Sequence, residues 1–229
     1  MHLSDPVGWF GKLPSIGDFA SRRLSPDFVA TWDEWLSAGF ADWRASSPQA
    51  WLEEYLAGPT WRFILFPGLL PGNCGRTLWA GVLMPSVDRV GRYFPLTLAQ
   101  PLAYLPTQEI RTGALLAWLQ RLDNVAVDAM HESWEIEQLD AALALEGPTP
   151  ADPDPESYVT CSLPGLANVH LHQRLHGHVV WLTTDASGRQ LLRVDRGLPQ
   201  GEKFSALLGG LHGDESDPLH NALRSSHEY

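Results

Sequence analysis

Cysteine, charged side chains and long apolar runs are all scarce in this sequence of 229 residues. Its two cysteines, Cys74 and Cys161, stand far apart and without metal-ligand spacing, so buried free thiols in a reduced compartment are expected. No apolar run approaches the roughly 20 residues that a membrane-spanning helix needs. The opening "MHLSDPVGWF" lacks the basic and apolar regions of a secretory signal. The expectation is a soluble, cytoplasmic protein. Charged residues make up only 19% against 44% hydrophobic, with ten tryptophans, which excludes a disordered chain and provides for a large core. One domain spanning 1–229 is expected.

Positive charge is missing altogether between Arg121 and Arg174. Residues 1–122 balance their charges, so the formal net charge of −11 falls wholly on residues 123–229. A surface of that sign repels nucleic acid and anionic lipid, and neither is expected as a partner. It tolerates a basic protein surface.

Several catalytic and cofactor signatures are also missing. In a phosphate-binding loop, a glycine and four residues precede Gly-Lys-Ser/Thr, whose hydroxyl holds magnesium. Here Leu13 follows Gly11-Lys12, and Pro6 stands where the first glycine belongs. The nucleophile elbow Gly-x-Ser-x-Gly is absent, and so is the dinucleotide glycine fingerprint. No cofactor is expected, and no internal repeat is visible.

What is present reads as alternating elements. In "LSPDFVATWDEWLSAGFADW", Ser25 suits an N-cap, Pro26 the first helical position and Asp27 the helix dipole. Phe28, Trp32, Leu36 and Phe40 recur every four residues, with Val29 and Trp43 beside them. A short helix follows from Pro48 to Gly58. "WRFILF" (61–66), "TLWAGVLM" (77–84) and "YFPLTLAQ" (93–100) read as buried strands. Their connections are too short for helical crossovers, so antiparallel neighbours are expected. Helices are predicted over 107–122 and 128–145, the second acidic on its polar side. The proline-rich "GPTPADPDPES" (147–157) predicts an exposed loop. "HVVWLTT" and "RQLLRVD" around "DASG" predict a hairpin, followed by a helix in "EKFSALLGGL" and a polar tail over 213–229. These elements predict an α/β fold, a three-layer α/β/α sandwich around a mixed, partly antiparallel sheet.

Two stretches carry unusual chemistry. "GWFGKLPSIGDF" (8–19) places Gly8, Gly11, Pro14 and Gly17 around Lys12 and Asp18. "PSVDRVGRYFPLT" (85–97) clusters Ser86, Asp88, Arg89 and Arg92 around Gly91. Arginine forks suit a carboxylate or phosphate, so this second stretch is either an anion or partner site or a polar turn closed by a local ion pair. Ser86 and Asp88 with a distant histidine would be the components of a hydrolase. His170, His172, His176 and His178 fall within nine residues, but no acid or cysteine nearby completes a tetrahedral site, and no metal is expected.

"GWFGKLPSIGDFASRRL" and, some sixty residues on, "WAGVLMPSVDRVGRYFPLTLA" together resemble the TagF (ImpM) family of type VI secretion system-associated proteins. "FVATWDEWL" and "WRFILFPG" fit between them in order. The resemblance is firm over 8–101 and looser over 102–212, where "HVVWLTT" supplies only Trp181. Some family members carry a further metal-dependent serine/threonine phosphatase domain; with the sequence ending at Tyr229, no phosphatase activity is expected. The resemblance implies an α/β sandwich and a cytoplasmic, non-enzymatic, post-translational repressor of type VI secretion. Its implied partner is a forkhead-associated scaffold protein, in parallel with a threonine kinase and phosphatase pathway. If the two motifs meet, Lys12, Asp18 and Arg22 would join Ser86, Asp88, Arg89 and Arg92 in one polar patch, serving either a partner or the fold itself.

Overall fold

Strand Trp61–Leu65 sits inside a seven-stranded sheet, and its side chains alternate between two apolar clusters. The computed structural model describes residues 6–102, 109–146, 175–185 and 187–209. In chain order the strands are β1 (Gly8–Gly11), β2 (Ala20–Arg22), β3 (Trp61–Leu65), β4 (Leu78–Met84), β5 (Leu96–Leu102), β6 (His178–Thr184) and β7 (Gln190–Arg196). The helices are α1 (Pro26–Ser46), α2 (Trp51–Leu56), α3 (Glu109–His131), α4 (Ile136–Leu145) and α5 (Glu202–Leu208). The strand order is β2-β1-β5-β4-β3-β6-β7.

Every pairing in this sheet is antiparallel, which corrects the expectation of a mixed sheet. β3, β4 and β5 are successive hairpin neighbours, while β1 and β6 add on either side, each antiparallel to its neighbour. All residues of β3, β4 and β5 are buried. Coverage on both faces, rather than parallel pairing, is why these strands read as unbroken apolar runs instead of alternating ones.

Ile64 and Phe66 go to a cluster containing Trp118, Leu122, Leu139 and Leu143 of α3 and α4. Phe63 and Leu65 go to the other, with Trp32 and Leu36 of α1, Tyr55 of α2 and Phe204 of α5. A fully buried aromatic or branched aliphatic side chain contributes about 1.5–3 kcal/mol. The stripe expected for α1 is buried, and Ser25 caps that helix by accepting from the Phe28 N–H at 3.3 Å. Two indole groups are partnered deep in this cluster: Trp32 donates to Thr97 Oγ1 at 2.8 Å, and Trp35 to the Pro199 carbonyl at 2.7 Å.

The region predicted as two helices over 107–122 and 128–145 divides elsewhere. α3 runs unbroken through Leu122, Val125, Ala126 and Ala129, which continue its apolar stripe on the sheet. The chain turns instead at Ser133, whose φ of 53° lies in the left-handed region. α4 then starts with a reciprocal cap between Glu135 and Gln138. The β6–β7 hairpin forms as expected; its Asp185 carboxyl, bonded by the Ser187 hydroxyl and the Arg189 N–H, is lowered to about 2. The 147–157 loop and the tail from 213 lie outside the described residues.

Candidate functional site

The two unusual stretches form neighbouring loops at the same end of β1, β4 and β5, which the pairing of β5 with both β1 and β4 dictates. In the first, Leu13–Ile16 is a tight turn closed by the Ile16 N–H on the Leu13 carbonyl at 3.1 Å. Pro14 occupies its second position, where a fixed φ favours the turn. In the second, the Gly91 N–H closes on the Asp88 carbonyl at 3.0 Å and the Asp88 N–H on the Arg92 carbonyl at 3.0 Å. Gly91 has a φ of 83°, which a residue with a side chain rarely adopts.

The loops are fastened by one buried carboxylate. Lys12 Nζ donates to Asp88 Oδ2 at 2.8 Å, with side chains 5% and 0% exposed. Arg92 Nε donates to the same oxygen at 2.7 Å, while Oδ1 accepts from the Val90 and Arg92 N–H groups at 3.0 and 2.9 Å. Burial alone would push the Asp88 carboxyl up. The bonds from Lys12, from the N–H and guanidinium of Arg92 and from the Val90 N–H outweigh it, and hold the carboxyl well below the usual carboxylate range. Two further bonds cross between the loops: the Arg89 N–H donates to the Ile16 carbonyl at 2.9 Å, and Arg92 Nη2 donates to the Gly17 carbonyl.

Ser86 is buried beneath this junction. Its hydroxyl donates to the Lys12 carbonyl at 2.8 Å and lies 3.6 Å from the Met130 sulfur. Its N–H donates to the Tyr55 hydroxyl at 2.7 Å, and that hydroxyl donates back to the Ser86 carbonyl at 2.9 Å. Burial raises the Tyr55 hydroxyl far above its ordinary value, so it remains protonated and able to donate. Among the described residues no histidine bonds Ser86, so the contact a Ser-His-Asp hydrolase requires is not formed there.

Of the predicted patch, then, Lys12, Ser86 and Asp88 form its buried floor, while Arg89 and Arg92 are exposed above it. Asp18 is exposed, and its carboxylate accepts from the Phe19 N–H at 2.8 Å. Arg22 points elsewhere: on β2 opposite Trp9, its Nε is 4.0 Å from Asp140 on α4. Gly11 has a φ of 138°, and a Cβ there would lie 2.1 Å from the Pro95 carbonyl oxygen. Gly8 abuts Leu24 in the same way, whereas Gly17 has room for a methyl group, with Arg89 Nη2 the nearest atom at 3.7 Å.

Sequence reading missed Asp140, which accepts from Trp9 Nε1 and from Arg23 Nη2, each at 2.8 Å. It sits in an acidic helix with no local mark of importance, because its partners are more than a hundred residues away. Tyr55 was missed as well: its partner Ser86 is 31 positions away, beyond the reach of any local pattern. Phe19 is 45% exposed and Val90 64%, and both belong to these two loops. Phe19 rests edge-on against Phe94 at 4.7 Å and stacks on Phe10 at 5.9 Å, while Lys12 Nζ lies 4.9 Å from its ring centre.

A separate cavity of about 230 Å³ is lined by Arg62, Leu116, Gln120, Leu182 and Gln190 and touches none of the motif residues. Arg62 donates to Gln120 Oε1 at 2.6 Å and Thr184 Oγ1 at 3.1 Å, with Asp123 3.9 Å from its Nε. Burial pushes the Asp123 carboxyl up. Among the described residues no three potential metal ligands cluster; His170 and His172 lie outside them, and His178 Nδ1 faces the His176 carbonyl at 3.0 Å. No described helix is long and apolar enough to cross a membrane.

Comparison with known proteins fits this frame. The sequence pattern of the TagF N-terminal domain, type VI secretion system-associated, matches residues 8–145, which includes both motif loops and continues through α3 and α4. The solved structure of PA0076 from Pseudomonas aeruginosa PAO1 is similar, with a TM-score of 0.67 and 33% identity over 89% of this chain and 94% of that one. Comparison with curated proteins gives no match. A match over more than half of the chain, in a range that includes the loops packed around Asp88, shows that this chain belongs to the TagF family of type VI secretion system-associated proteins.

Proposed function

We propose that this protein is a cytoplasmic, non-enzymatic, post-translational negative regulator of type VI secretion that acts by binding the forkhead-associated scaffold protein of the apparatus. The contact surface in this reading is the pair of motif loops. What supports it is their construction: buried Lys12, Ser86 and Asp88 anchor both loops and the half-exposed Arg92 reaches back to Asp88 and Gly17, yet Arg89 is exposed. Side chains needed only for folding would not have to be presented in this way. A backbone held by cross-loop bonds also binds without a large ordering cost. The scaffold is read here as an α/β/α sandwich, supported by the division of β3 side chains between two helix-bearing clusters.

Calorimetric titration of the purified protein against that scaffold protein tests the proposal. Wild type is expected to bind near the micromolar range, about −8 kcal/mol. The Arg89→Ala, Arg92→Ala variant, checked for folding, is expected to bind at least about tenfold more weakly, a loss of ~1.4 kcal/mol. No binding by wild type refutes the proposed partner. Equal binding by the variant refutes the proposed surface.

A further inference from the structure

We propose that the surface formed by the two motif loops accepts an acidic protein segment carrying an apolar side chain. This rests on the reading of that surface as a partner site and specifies the chemistry of what docks there. Asp88, the one carboxylate inside the junction, is fully buried and already shared by Lys12 and Arg92. Arg89 adds a third cation, and its guanidinium has no hydrogen-bond partner among the described residues. Asp18 is the only other acid on these loops, and its Oδ1 accepts from the neighbouring Phe19 N–H. With three cations against two carboxylates, one of them buried, the two loops carry a surplus of one positive charge in a chain whose net charge is −11.

A free guanidinium presents a planar fork of donors that fits a carboxylate in bidentate fashion. Beside the two exposed arginines stand Phe19 and Val90, 45% and 64% exposed, the first held from behind by Phe94 and Phe10. A rigid aromatic face next to an unpaired arginine is the composition of a protein-binding centre. A polyanion such as nucleic acid would meet the repulsion of the remaining surface, including Glu132 and Glu135 around the Trp134 carbonyl that Ser15 bonds, whereas a short acidic segment would engage only Arg89 and its neighbours.

The test is fluorescence anisotropy with the full chain and labelled peptides of about 12 residues, a length that covers one such patch. One peptide is acidic with a central leucine, one has glycine in place of that leucine, one has lysine in place of the acids, and one is neutral with a single phosphothreonine. The acidic leucine peptide is expected to bind at least about tenfold more tightly than the other three, and to weaken several-fold as salt rises from ~50 to ~300 mM. Arg89→Glu, which removes no hydrogen bond made by that side chain, is expected to weaken it at least about tenfold, and Val90→Ser by a smaller factor. Preference for the lysine or phosphothreonine peptide, indifference to Arg89→Glu, or no binding up to ~1 mM each overturns the inference. Scaffold binding in calorimetry without this peptide preference would overturn the acidic-segment assignment alone. Peptide binding without scaffold binding would refute the scaffold as partner and leave the acidic-segment assignment standing.

Discussion

Replacing Lys12 with methionine keeps most of the apolar stem and removes the ammonium that meets Asp88 at 2.8 Å. The carboxylate left behind is fully buried, and it retains Arg92 and two backbone N–H donors. Breaking a buried ion pair by removing one partner costs about 3–5 kcal/mol. The surviving donors place Lys12→Met at the lower end, about 3 kcal/mol. Asp88→Asn leaves the buried Lys12 ammonium facing a neutral amide and the Phe19 ring instead of a carboxylate, and belongs at the upper end. For a chain of this size, ~3 kcal/mol lowers Tm by about 6–12 °C. The assay is chemical denaturation of wild type, both single variants and the double variant. Because the two charges interact directly, the double variant is expected to cost less than the sum of the singles by about 1–3 kcal/mol. Single variants each costing under about 0.5 kcal/mol, or costs that add, would refute the claim that this pair fastens the two loops.

Three further outcomes follow from the same geometry. The Asp88 carboxyl is held below its unfolded value, so its contribution is complete above about pH 4 and is lost as pH falls toward and through the folded value. Wild type should therefore lose more stability than Asp88→Asn between about pH 5 and pH 2, as acid titration of Tm would read. Tyr55→Phe leaves the buried N–H and carbonyl of Ser86 without the hydroxyl that serves both, and should cost about 1–3 kcal/mol in chemical denaturation. Gly11→Ala forces a positive φ and a collision with the Pro95 carbonyl and should cost more than about 1 kcal/mol, whereas Gly17→Ala should change stability by under about 0.5 kcal/mol; equal effects in thermal melts would contradict the loop geometry.

Much of this architecture was legible in the sequence because it is local. The Ser25 cap, the four-residue stripe of α1, the proline in the Leu13–Ile16 turn, the glycine closing the Asp88–Gly91 turn and the β6–β7 hairpin each depend on side chains a few positions apart. In the sequence the meeting of the two motifs is only a condition, which Lys12 and Asp88 fulfil and Arg22 does not, and the TagF family match over 8–145 covers the firm stretch 8–101 and part of the looser one. The hinge between α3 and α4 was expected between 122 and 128, whereas α3 runs on to His131. Position on the sheet decides this: Leu122, Val125 and Ala126 continue to pack inward.

What tertiary structure alone decided is which charges meet. Lys12 and Asp88 are 76 positions apart, and Asp140 is 131 from Trp9, so no local pattern marks them as partners. Placing β5 between β1 and β4 brings Lys12 onto Asp88, while the pairing of β1 with β2 sends Arg22 toward Asp140 and away from the arginines it was expected to join. The sequence by itself determined the family, helix α1, strands β3 to β5 and the late hairpin, since such elements arise from propensity and short-range hydrogen bonding, whereas β1, β2 and the turn at Ser133 were settled by packing on the sheet. The order of strands is set by burial of two apolar clusters at once, and that order assigned Lys12, Ser86 and Asp88 to the interior and Arg89 and Arg92 to solvent.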